Sequence, residues 1–336
     1  MSRIAIIGAG AWGTGLAIVL GRKGTHQVRL WANEPDVSES ISKKRINERF
    51  LPGFMLPELI AATSDLNTAL DAAEIVVSVM PSQHCRVLFE RMAPALRPET
   101  LFVSCTKGLE DGTLLRMTEV IGDVLRSCKF APRVAALSGP SFAKEVARGD
   151  PTAVTVASVD GEVRRAVQQA FSDSRFRVYT NDDVIGVELG GALKNIIAIA
   201  AGVCAGLGLG HNSAAALITR GLAEMARLVV ACGGRLDTMA GLAGLGDLVL
   251  TCTGDLSRNR SVGVQLGQGR KLPDIIADMH GAVAEGVFTT KAAVGLARKK
   301  NVEMPITEQM FAILESGKSP QQAIEVLMTR AARSET

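Results

Sequence analysis

The stretch Ile4-Ala5-Ile6-Ile7-Gly8-Ala9-Gly10-Ala11-Trp12-Gly13 decides the fold of this chain. Its first four residues are apolar and rich in isoleucine, which predicts a short buried strand. Gly8, Gly10 and Gly13 have the spacing G-x-G-x-x-G, and an apolar helical pattern begins directly after them. In a strand–turn–helix unit the first glycine turns the chain, the second lets the backbone approach a pyrophosphate, and the third lets helix and strand pack closely. The stretch therefore predicts a dinucleotide site, with the diphosphate at the helix N-terminus, where free N–H groups favour an anion.

Strands and helices alternate over the first half of the chain. The helical patterns include Gln83–Ala95, Thr113–Ser127 and Gly161–Ser172. Further strand-like runs lie at Gln27–Trp31, Leu59–Ala62, Glu74–Val79, Leu101–Cys105, Val134–Leu137, Ala153–Ala157 and Phe176–Tyr179. This alternation predicts a mostly parallel, doubly wound sheet of the Rossmann type, with ligands at the carboxyl ends of its strands.

After Thr180 the strand signals nearly vanish. Asn181-Asp182-Asp183 is a good helix start. Helical periodicity then covers most of 182–205, 212–232, 258–267, 287–299, 305–315 and 320–333. We therefore expect an N-terminal dinucleotide-binding α/β domain over residues 1–180 and an all-α substrate and catalytic domain over residues 181–336.

The composition argues against several classes of protein. With 336 residues, 47% hydrophobic content and a net charge of +3, we expect a soluble globular protein without a nucleic-acid surface. No signal peptide is visible, and the six cysteines include no C-x-x-C pair, which favours reduced thiols in a cytoplasmic protein. The four histidines show no metal-ligand spacing, so no metal site is expected. The charge-free run from Asn195 to Thr219 is interrupted by glycines, which favours a buried helix, a turn and a second helix over a membrane span.

Lys194 lies in the middle of a helical pattern that is apolar almost all round. By helical spacing it shares a face with Glu188, Gly191 and Asn195. Burial of an ammonium group without partners is costly. Two interpretations stay open: a lysine paired with Glu188 or Asn195 for structural reasons, or a catalytic lysine that faces a cleft left open by small neighbours.

A glycine-rich stretch, 241–253, surrounds Asp247 and predicts a loop shaped by its backbone rather than a core helix. Ser257-Arg258-Asn259 follows, and its donors suit a phosphate, which Arg258 can bind bidentately. Ser257 equally suits the N-cap of the next helix. Both roles are compatible, because phosphates dock at capped helix N-termini.

Two loops at predicted strand ends complete the set of candidate ligand-binding residues. One contains Lys107 and the other contains Gly139 and Ser141. An exposed loop lysine and an ordinary turn are the alternative interpretations. Their position at the carboxyl edge of the sheet, rather than their residue type, favours a functional role.

Six motifs, taken in order, resemble the NAD(P)-dependent sn-glycerol-3-phosphate dehydrogenases of the bacterial soluble type over essentially the whole chain. They are Gly8-Ala9-Gly10-Ala11-Trp12-Gly13-Thr14, Thr106-Lys107-Gly108-Leu109-Glu110, Ser138-Gly139-Pro140-Ser141-Phe142-Ala143-Lys144-Glu145, Leu193-Lys194-Asn195, Gly244-Leu245-Gly246-Asp247 and Ser257-Arg258-Asn259-Arg260. The resemblance implies the interconversion of sn-glycerol 3-phosphate and dihydroxyacetone phosphate with NADP or NAD, in the supply of glycerol phosphate for phospholipids.

The resemblance also assigns roles to individual residues. Lys194 is implied as the proton acceptor in alcohol oxidation and the proton donor in ketone reduction, with Lys107 and Asp247 beside it. The residues implied to contact substrate are Lys107, Gly139, Ser141, Lys194, Asp247, Ser257, Arg258 and Asn259. Besides the three fingerprint glycines, the residues implied at the cofactor are Ala11, Trp12, Asn33, Lys107, Ala143, Arg258, Val283 and Glu285. Two lysines that converge on one carbonyl are expected to depress each other's pKa from ~10.4 towards ~7–8, the range useful for acid–base work.

The sequence leaves the choice between NADP and NAD open. Many relatives carry His or Arg at the position of Asn33, which suits a 2′-phosphate, whereas Glu34 suits the free 2′-hydroxyl of NAD. Whether the nearby cations of Lys43, Lys44 and Arg45 fold back towards this position is also open.

Two other functions are weighed against the leading one. A related two-domain β-hydroxyacid dehydrogenase shares the architecture, and a non-catalytic NAD(P)-sensing protein keeps the glycines. Asp247 with Ser257-Arg258-Asn259 favours a phosphorylated triose or polyol as substrate. An apolar helical domain is also compatible with a homodimer.

Overall fold

The computed structural model describes residues 1–126, 131–279, 284–332 and 334. The strands are β1 (Ser2–Ile7), β2 (His26–Trp31), β3 (Ile46–Asn47), β4 (Leu51–Met55), β5 (Ile60–Thr63), β6 (Ile75–Ser78), β7 (Leu101–Ser104), β8 (Arg133–Ser138), β9 (Thr152–Ala157) and β10 (Phe176–Asn181). Among them lie the helices α1 (Ala11–Arg22), α2 (Pro35–Lys44), α3 (Leu66–Leu70), α4 (Cys85–Met92), α5 (Met117–Arg126), α6 (Ala143–Arg148) and α7 (Gly161–Phe171). The helices that follow are α8 (Val184–Gly206), α9 (His211–Ala231), α10 (Leu236–Met239), α11 (Asp247–Thr253), α12 (Arg258–Gly267), α13 (Leu272–Ala277), α14 (Glu285–Lys299), α15 (Pro305–Ser316) and α16 (Pro320–Met328).

The large sheet has the strand order β10-β9-β8-β7-β6-β1-β2-β5. Its strands pair in parallel except at β8 and β9, which run antiparallel. Because side chains alternate along a strand, Ile4 and Ile6 of β1 pack with α1 and α7, whereas Ala5 and Ile7 pack with α3, α4 and α5. Helices therefore cover both faces, and the predicted doubly wound fold is confirmed.

Several short elements were not predicted. The hairpin of β3 and β4 and the helices α2, α3 and α6 lie among the predicted strands. Each is too short, or too polar, to give a clear hydrophobic period. Strand β10 ends at Asn181 and α8 begins at Val184, and the domain boundary near residue 180 stays a prediction.

Helix α8 is the centre of the helical part. Its N-cap is Asp183, whose carboxylate accepts a hydrogen bond from the Gly186 N–H at 2.8 Å, within the helix start Asn181-Asp182-Asp183 that the sequence predicted. Its length and mean hydropathy of 1.6 would suffice to cross a membrane, but 89% of its most apolar window is buried within the fold. The predicted order of buried helix, turn and second helix is confirmed, because α9 begins at His211.

Glycines let α12 lie directly against α8. A Cβ atom on Gly202 would lie 2.1 Å from the Arg260 carbonyl oxygen, and one on Gly263 would lie 2.0 Å from that of Ile199. Any larger residue would push the helices apart. This close contact holds the start of α12, with Arg258, beside the middle of α8.

The prediction of a loop over 241–253 is wrong. A short π-helix, Leu242–Gly246, leads into α11. Gly244 serves close packing rather than a loop, because a Cβ atom there would lie 2.2 Å from the Met239 carbonyl oxygen. In α11, Asp247 and Leu248 are buried, so the acid is part of a core helix.

Candidate active site

Two lysines from distant parts of the chain share one buried carboxylate. The Lys107 Nζ donates to Asp247 Oδ2 at 2.6 Å, and the Lys194 Nζ donates to Asp247 Oδ1. The Asp247 side chain is 1% exposed and that of Lys194 is 8% exposed. Lys107 follows β7 at the carboxyl edge of the sheet, whereas the other two residues lie on α8 and α11. The arrangement thus joins the sheet to the helical part at one charged point.

Burial is the main cause of the unusual acidity of Lys194. The pKa of the ammonium group is lowered from 10.5 to about 8: burial and the charge of Lys107 lower it, while Asp247 opposes both. The charge of the second lysine, which the sequence suggests as the cause, has a smaller effect than burial. Burial alone would raise the pKa of the Asp247 carboxyl group, but the two ammonium groups hold it below its ordinary value.

The structural partners suggested for Lys194 are engaged elsewhere. Glu188 accepts from Arg116 Nη1 at 2.6 Å and from the Thr118 N–H at 2.8 Å. The Asn195 side chain accepts from Asn259. A pairing of Lys194 with Glu188 or Asn195 was therefore wrong.

Thr251 completes the surroundings of Lys194 and was missed in the sequence. Its hydroxyl accepts from the Lys194 Nζ at 2.7 Å and donates to the Asp247 carbonyl oxygen at 2.6 Å. The only signal for this role is the four-residue spacing from Asp247, which places both side chains on one helical face. That signal is lost when 241–253 is interpreted as a loop.

The loop after β8 contributes a carbonyl group to the same point. The Gly139 oxygen accepts from the Lys107 Nζ at 3.2 Å and from the Ser141 hydroxyl at 2.9 Å. Gly139 has a φ of +140°, and a Cβ atom there would lie 2.9 Å from Val154 Cα. The loop therefore needs glycine, and it brings Gly139 and Ser141 to the lysines.

The start of α12 is tied to α8 and α14 through one amide. The Asn259 Nδ2 donates to Asn195 Oδ1, and its Oδ1 accepts from the Gly286 N–H, both at 2.9 Å. Ser257 is the N-cap of α12, and its hydroxyl accepts from the Arg260 N–H at 3.2 Å. The N-cap role of Ser257 is thus confirmed.

Arg258 is the exposed cation of this group. Within the described ranges, its guanidinium has no hydrogen-bond or ion-pair partner, although the charge of Glu285 lies near it. A guanidinium that is held in place at the start of a helix and left without a partner suits an anionic ligand.

Glu285 connects α14 to the loop that carries Lys107. Its carboxylate accepts from the Ser82 N–H at 3.0 Å and from the Ser82 hydroxyl at 2.7 Å. A Cβ atom on Gly108 would lie 3.1 Å from Glu285 Oε2. Burial raises the pKa of the Glu285 carboxyl group, and its hydrogen bonds with Ser82 oppose the shift. Val283 lies outside the described residues.

The fingerprint glycines have the geometry that the sequence predicted. Gly8 has a φ of +121°, and a Cβ atom on Gly13 would lie 1.9 Å from the Gly8 carbonyl oxygen. Around Gly10, in contrast, a Cβ atom would meet nothing within 4 Å. Helix α1 begins there without a side-chain cap, so its first N–H groups and an open cradle suit a diphosphate. Ala11, Trp12 and Ala143 are partly buried and pack against the core that contains the buried residues of α1.

The residues predicted to contact the adenosine end of the cofactor lie at the end of β2. The Gly8 N–H donates to the Trp31 carbonyl oxygen at 3.1 Å, and Asn33, two residues further on, is exposed. The basic cluster does not fold back towards it: Lys43 pairs with Glu39, Lys44 pairs with Glu48, and Arg45 donates to backbone carbonyl groups. Asn33 is thus far along the chain from the lysines and is not part of their cluster.

Comparison with known proteins identifies the family. The NAD-dependent glycerol-3-phosphate dehydrogenase N-terminus profile matches residues 3–164, and the C-terminus profile of the same family matches residues 183–325. The chain belongs to this family. A glycerol-3-phosphate dehydrogenase [NAD(P)+] from Koribacter versatilis is 66% identical over 335 residues, which cover 100% of this chain and 99% of that protein.

Two further members support the assignment over the full length. The protein of the same name from Acidobacterium capsulatum is 58% identical, with 100% of both chains covered. The crystal structure of glycerol-3-phosphate dehydrogenase from Coxiella burnetii is 44% identical and has a TM-score of 0.92, with 98% of this chain and 99% of that chain covered. Of the functions weighed from the sequence, family membership favours the dehydrogenase of glycerol 3-phosphate.

Proposed function

We propose that this family member interconverts sn-glycerol 3-phosphate and dihydroxyacetone phosphate at the carboxylate shared by Lys107 and Lys194. Reduction of a ketone builds negative charge on its oxygen, which requires a proton donor and nearby positive charge. The bound nicotinamide supplies the hydride in this direction and accepts it in the other. The observation that carries the proposal is the pair of ammonium groups on Asp247.

Lys194 is the proton donor in ketone reduction and the proton acceptor in alcohol oxidation. With its pKa at about 8, it is mostly protonated at neutral pH and exchanges its proton at little cost. Lys107, whose side chain is 17% exposed, adds positive charge at the substrate oxygen. Asp247 orients both ammonium groups and limits their mutual repulsion.

The phosphate of the substrate binds at the start of α12. Arg258 supplies the guanidinium, and Ser257 and the remaining Nδ2 hydrogen of Asn259 supply neutral donors. Gly139 and Ser141 line the substrate beside Lys107. The phosphate contact at the start of α12 is remote from the reacting carbon, so its binding energy helps to position that carbon.

The fingerprint would hold the dinucleotide, with the backbone at Gly10 at its diphosphate and Asn33 towards its adenosine end. Ala11, Trp12, Ala143 and the Glu285 region border the rest of the groove. Glu34 is the N-cap residue of α2, and its carboxylate suits the 2′-hydroxyl of NAD. Asn33 leaves the choice between NAD and NADP open, so the activity assay includes both NADH and NADPH.

The wider role follows from the reaction. We propose that the protein supplies glycerol phosphate for phospholipid synthesis in the cytoplasm.

We also propose a homodimer, supported by exposed apolar side chains of the helical part such as Leu245 and Val249, one helical turn apart and 38% and 41% exposed. Sedimentation velocity of the full chain tests the dimer: a monomer at micromolar concentration would contradict it.

Steady-state oxidation of NADH and NADPH with dihydroxyacetone phosphate tests the function directly. We expect turnover with this ketone and none with a panel of unphosphorylated 2- and 3-keto acids. Arg258→Gln should raise KM for dihydroxyacetone phosphate far more than it changes KM for NADH. Turnover of keto acids alone would favour the β-hydroxyacid dehydrogenase, and tight NADH binding without any turnover would favour the sensing protein.

A further inference from the structure

The loop between β7 and α5, residues 105–116, carries Lys107 and closes on itself as a hairpin. Leu109 and Arg116 face each other across it in an antiparallel bridge. Arg116 therefore lies opposite a residue that is only two positions from Lys107 in the chain. A contact that holds Arg116 in place also holds the backbone that carries Lys107.

This β7–α5 loop lies between the sheet and the helical part. On the side of the sheet, the Gln83 Nε2 donates to the Leu109 carbonyl oxygen at 2.9 Å, and the Arg86 Nε donates to Glu110 Oε1 at 2.9 Å. On the helical side, the Leu109 side chain is buried in the same apolar core as Leu193 of α8. Apolar packing has no preferred direction. A polar contact is therefore needed to set where the loop lies along α8.

Glu188 of α8 makes that polar contact. Its Oε2 accepts from the Arg116 Nη1 and from the Thr118 hydroxyl, both at 2.6 Å, and its Oε1 accepts from the Thr118 N–H at 2.8 Å. The side chains of Arg116 and Glu188 are only 14% and 6% exposed. Arg116 Nη2 also pairs with Glu119 at 2.8 Å. Charge-assisted hydrogen bonds of this kind are strong and directional, and burial strengthens them further.

The ion pair of Arg116 and Glu188 lies close to both lysines along their own elements. Lys194 follows Glu188 by six residues on α8, which is about 9 Å along the helix axis at ~1.5 Å per residue. On the loop, Lys107 is separated from the bridge by about 7 Å of extended chain at ~3.3–3.6 Å per residue. A helix and a bridged hairpin are stiff over such lengths. A shift of the loop at Arg116 would therefore also move Lys107 relative to Lys194.

We propose that Glu188 is a positioning residue, which through Arg116 fixes the loop carrying Lys107 against the helix carrying Lys194, so that both ammonium groups reach Asp247. This inference rests on the proposed function, because it concerns the alignment of the two lysines for ketone reduction. It gives Glu188 a role at a distance from the reacting atoms, in place of a direct pairing with Lys194.

Glu188→Gln tests the proposal, because it keeps the size of the side chain and removes the charge that pairs with Arg116. We expect kcat for dihydroxyacetone phosphate reduction at pH 7 to fall about tenfold, since Lys107 is displaced from the substrate oxygen. The Kd for NADH, from fluorescence titration, should change little, because the fingerprint glycines are not touched. If Glu188→Gln does not fold, Arg116→Lys replaces it: one ammonium group cannot reproduce the two-pronged contact of a guanidinium, and kcat should fall in the same way.

The pH profile distinguishes positioning from a loss of stability. The groups that face Lys194 are the Asp247 carboxylate, the Lys107 ammonium group and the Cys252 thiol. When Lys107 withdraws, its repulsion is lost and the carboxylate stabilises a single ammonium group, so the pKa of Lys194 rises. The decline in the rate of ketone reduction should therefore move up by about one pH unit in Glu188→Gln. A smaller folded fraction would lower the rate without moving the decline.

Glu224→Gln is the matched control. Glu224 is also a buried carboxylate at a helix N-terminus, where it accepts from the Ile306 and Thr307 N–H groups, both at 2.8 Å. These hydrogen bonds hold α15 and not the β7–α5 loop. Glu224→Gln should therefore lower the midpoint of thermal unfolding without moving the pH at which the rate declines.

Two results would overturn the positioning role in a wild-type protein that reduces dihydroxyacetone phosphate. One is a Glu188→Gln variant with the kcat and the pH profile of the wild type. The other is the same fall in kcat and the same shifted decline in Glu224→Gln, which would assign both effects to the stability of the helical part. Absence of turnover in the wild-type protein would instead overturn the proposed function.

Discussion

Replacement of Asp247 by asparagine removes the negative charge that stabilises two ammonium groups. Burial and the charge of Lys107 still lower the pKa of Lys194, and the carboxylate no longer opposes them. Two unit charges ~4 Å apart at an effective dielectric constant of about 20 interact by about 4 kcal/mol. At 1.36 kcal/mol for each pKa unit, the pKa of Lys194 should fall by about two to three units, from its present value of about 8.

The rate of ketone reduction should follow this shift. In the wild-type protein, the rate falls as pH rises through about 8, because the ammonium donor loses its proton. In Asp247→Asn the same decline should occur near pH 5–6, so that kcat at pH 7 drops about 10- to 100-fold and recovers to within about twofold of wild type at pH 5. The assay is NADH oxidation with saturating dihydroxyacetone phosphate from pH 5 to pH 9.

Two controls separate this effect from a loss of structure. Thermal unfolding reports whether Asp247→Asn folds, and the addition of Lys107→Ala removes the repelling charge and should move the decline back towards higher pH. Thr251→Val removes an uncharged acceptor from the ammonium group and should move the decline to lower pH by about one to two units, since a hydrogen bond to a charged group contributes about 1.5–3 kcal/mol. A decline that stays near pH 8 in Asp247→Asn would refute the reasoning.

Three further predictions concern the cofactor groove and the thiols. Gly13→Ala should destabilise the fold by about 3 kcal/mol through overpacking. Gly10→Ala should leave the midpoint of thermal unfolding nearly unchanged but weaken NADH binding. Equal unfolding midpoints of the two variants would contradict this prediction. Asn33→Arg should raise the preference for NADPH over NADH about tenfold by pairing with the 2′-phosphate, as read from the ratio of kcat/KM values, and an unchanged ratio would place the adenosine elsewhere. Burial raises the pKa of the Cys85, Cys105 and Cys252 thiols to about 12. Mass spectrometry after iodoacetamide treatment of the native protein at pH 8 should therefore find these three thiols unmodified. Modification at the rate of an exposed thiol would contradict this prediction.

The sheet could be predicted because its information is local. Strands β1 and β6 contain continuous apolar runs, at 4–7 and 75–77, and the fingerprint glycines have the spacing typical of one strand–turn–helix geometry. The helix start at Asn181-Asp182-Asp183 and the N-cap Ser257 were predictable for the same reason, because a cap bonds to a residue two or three positions away.

The centre of the site could not be predicted in the same way. The partner of Lys194 is 53 residues further along the chain, and no local pattern encodes that contact. The helix that carries Asp247 was missed because its preceding glycines suggested a loop, whereas Gly244 is needed where backbone touches backbone. Burial, which sets the pKa of Lys194, is likewise a property of the packed fold and not of the sequence around it.

The most direct measurement of the central claim compares Lys194→Ala with the wild-type protein in two assays. We predict that NADH binding, followed by fluorescence titration, is nearly unchanged, while kcat with dihydroxyacetone phosphate falls by about 10²–10⁴, the contribution of a general acid. Turnover that stays within a few-fold of wild type in this variant would contradict the role of Lys194 in proton transfer.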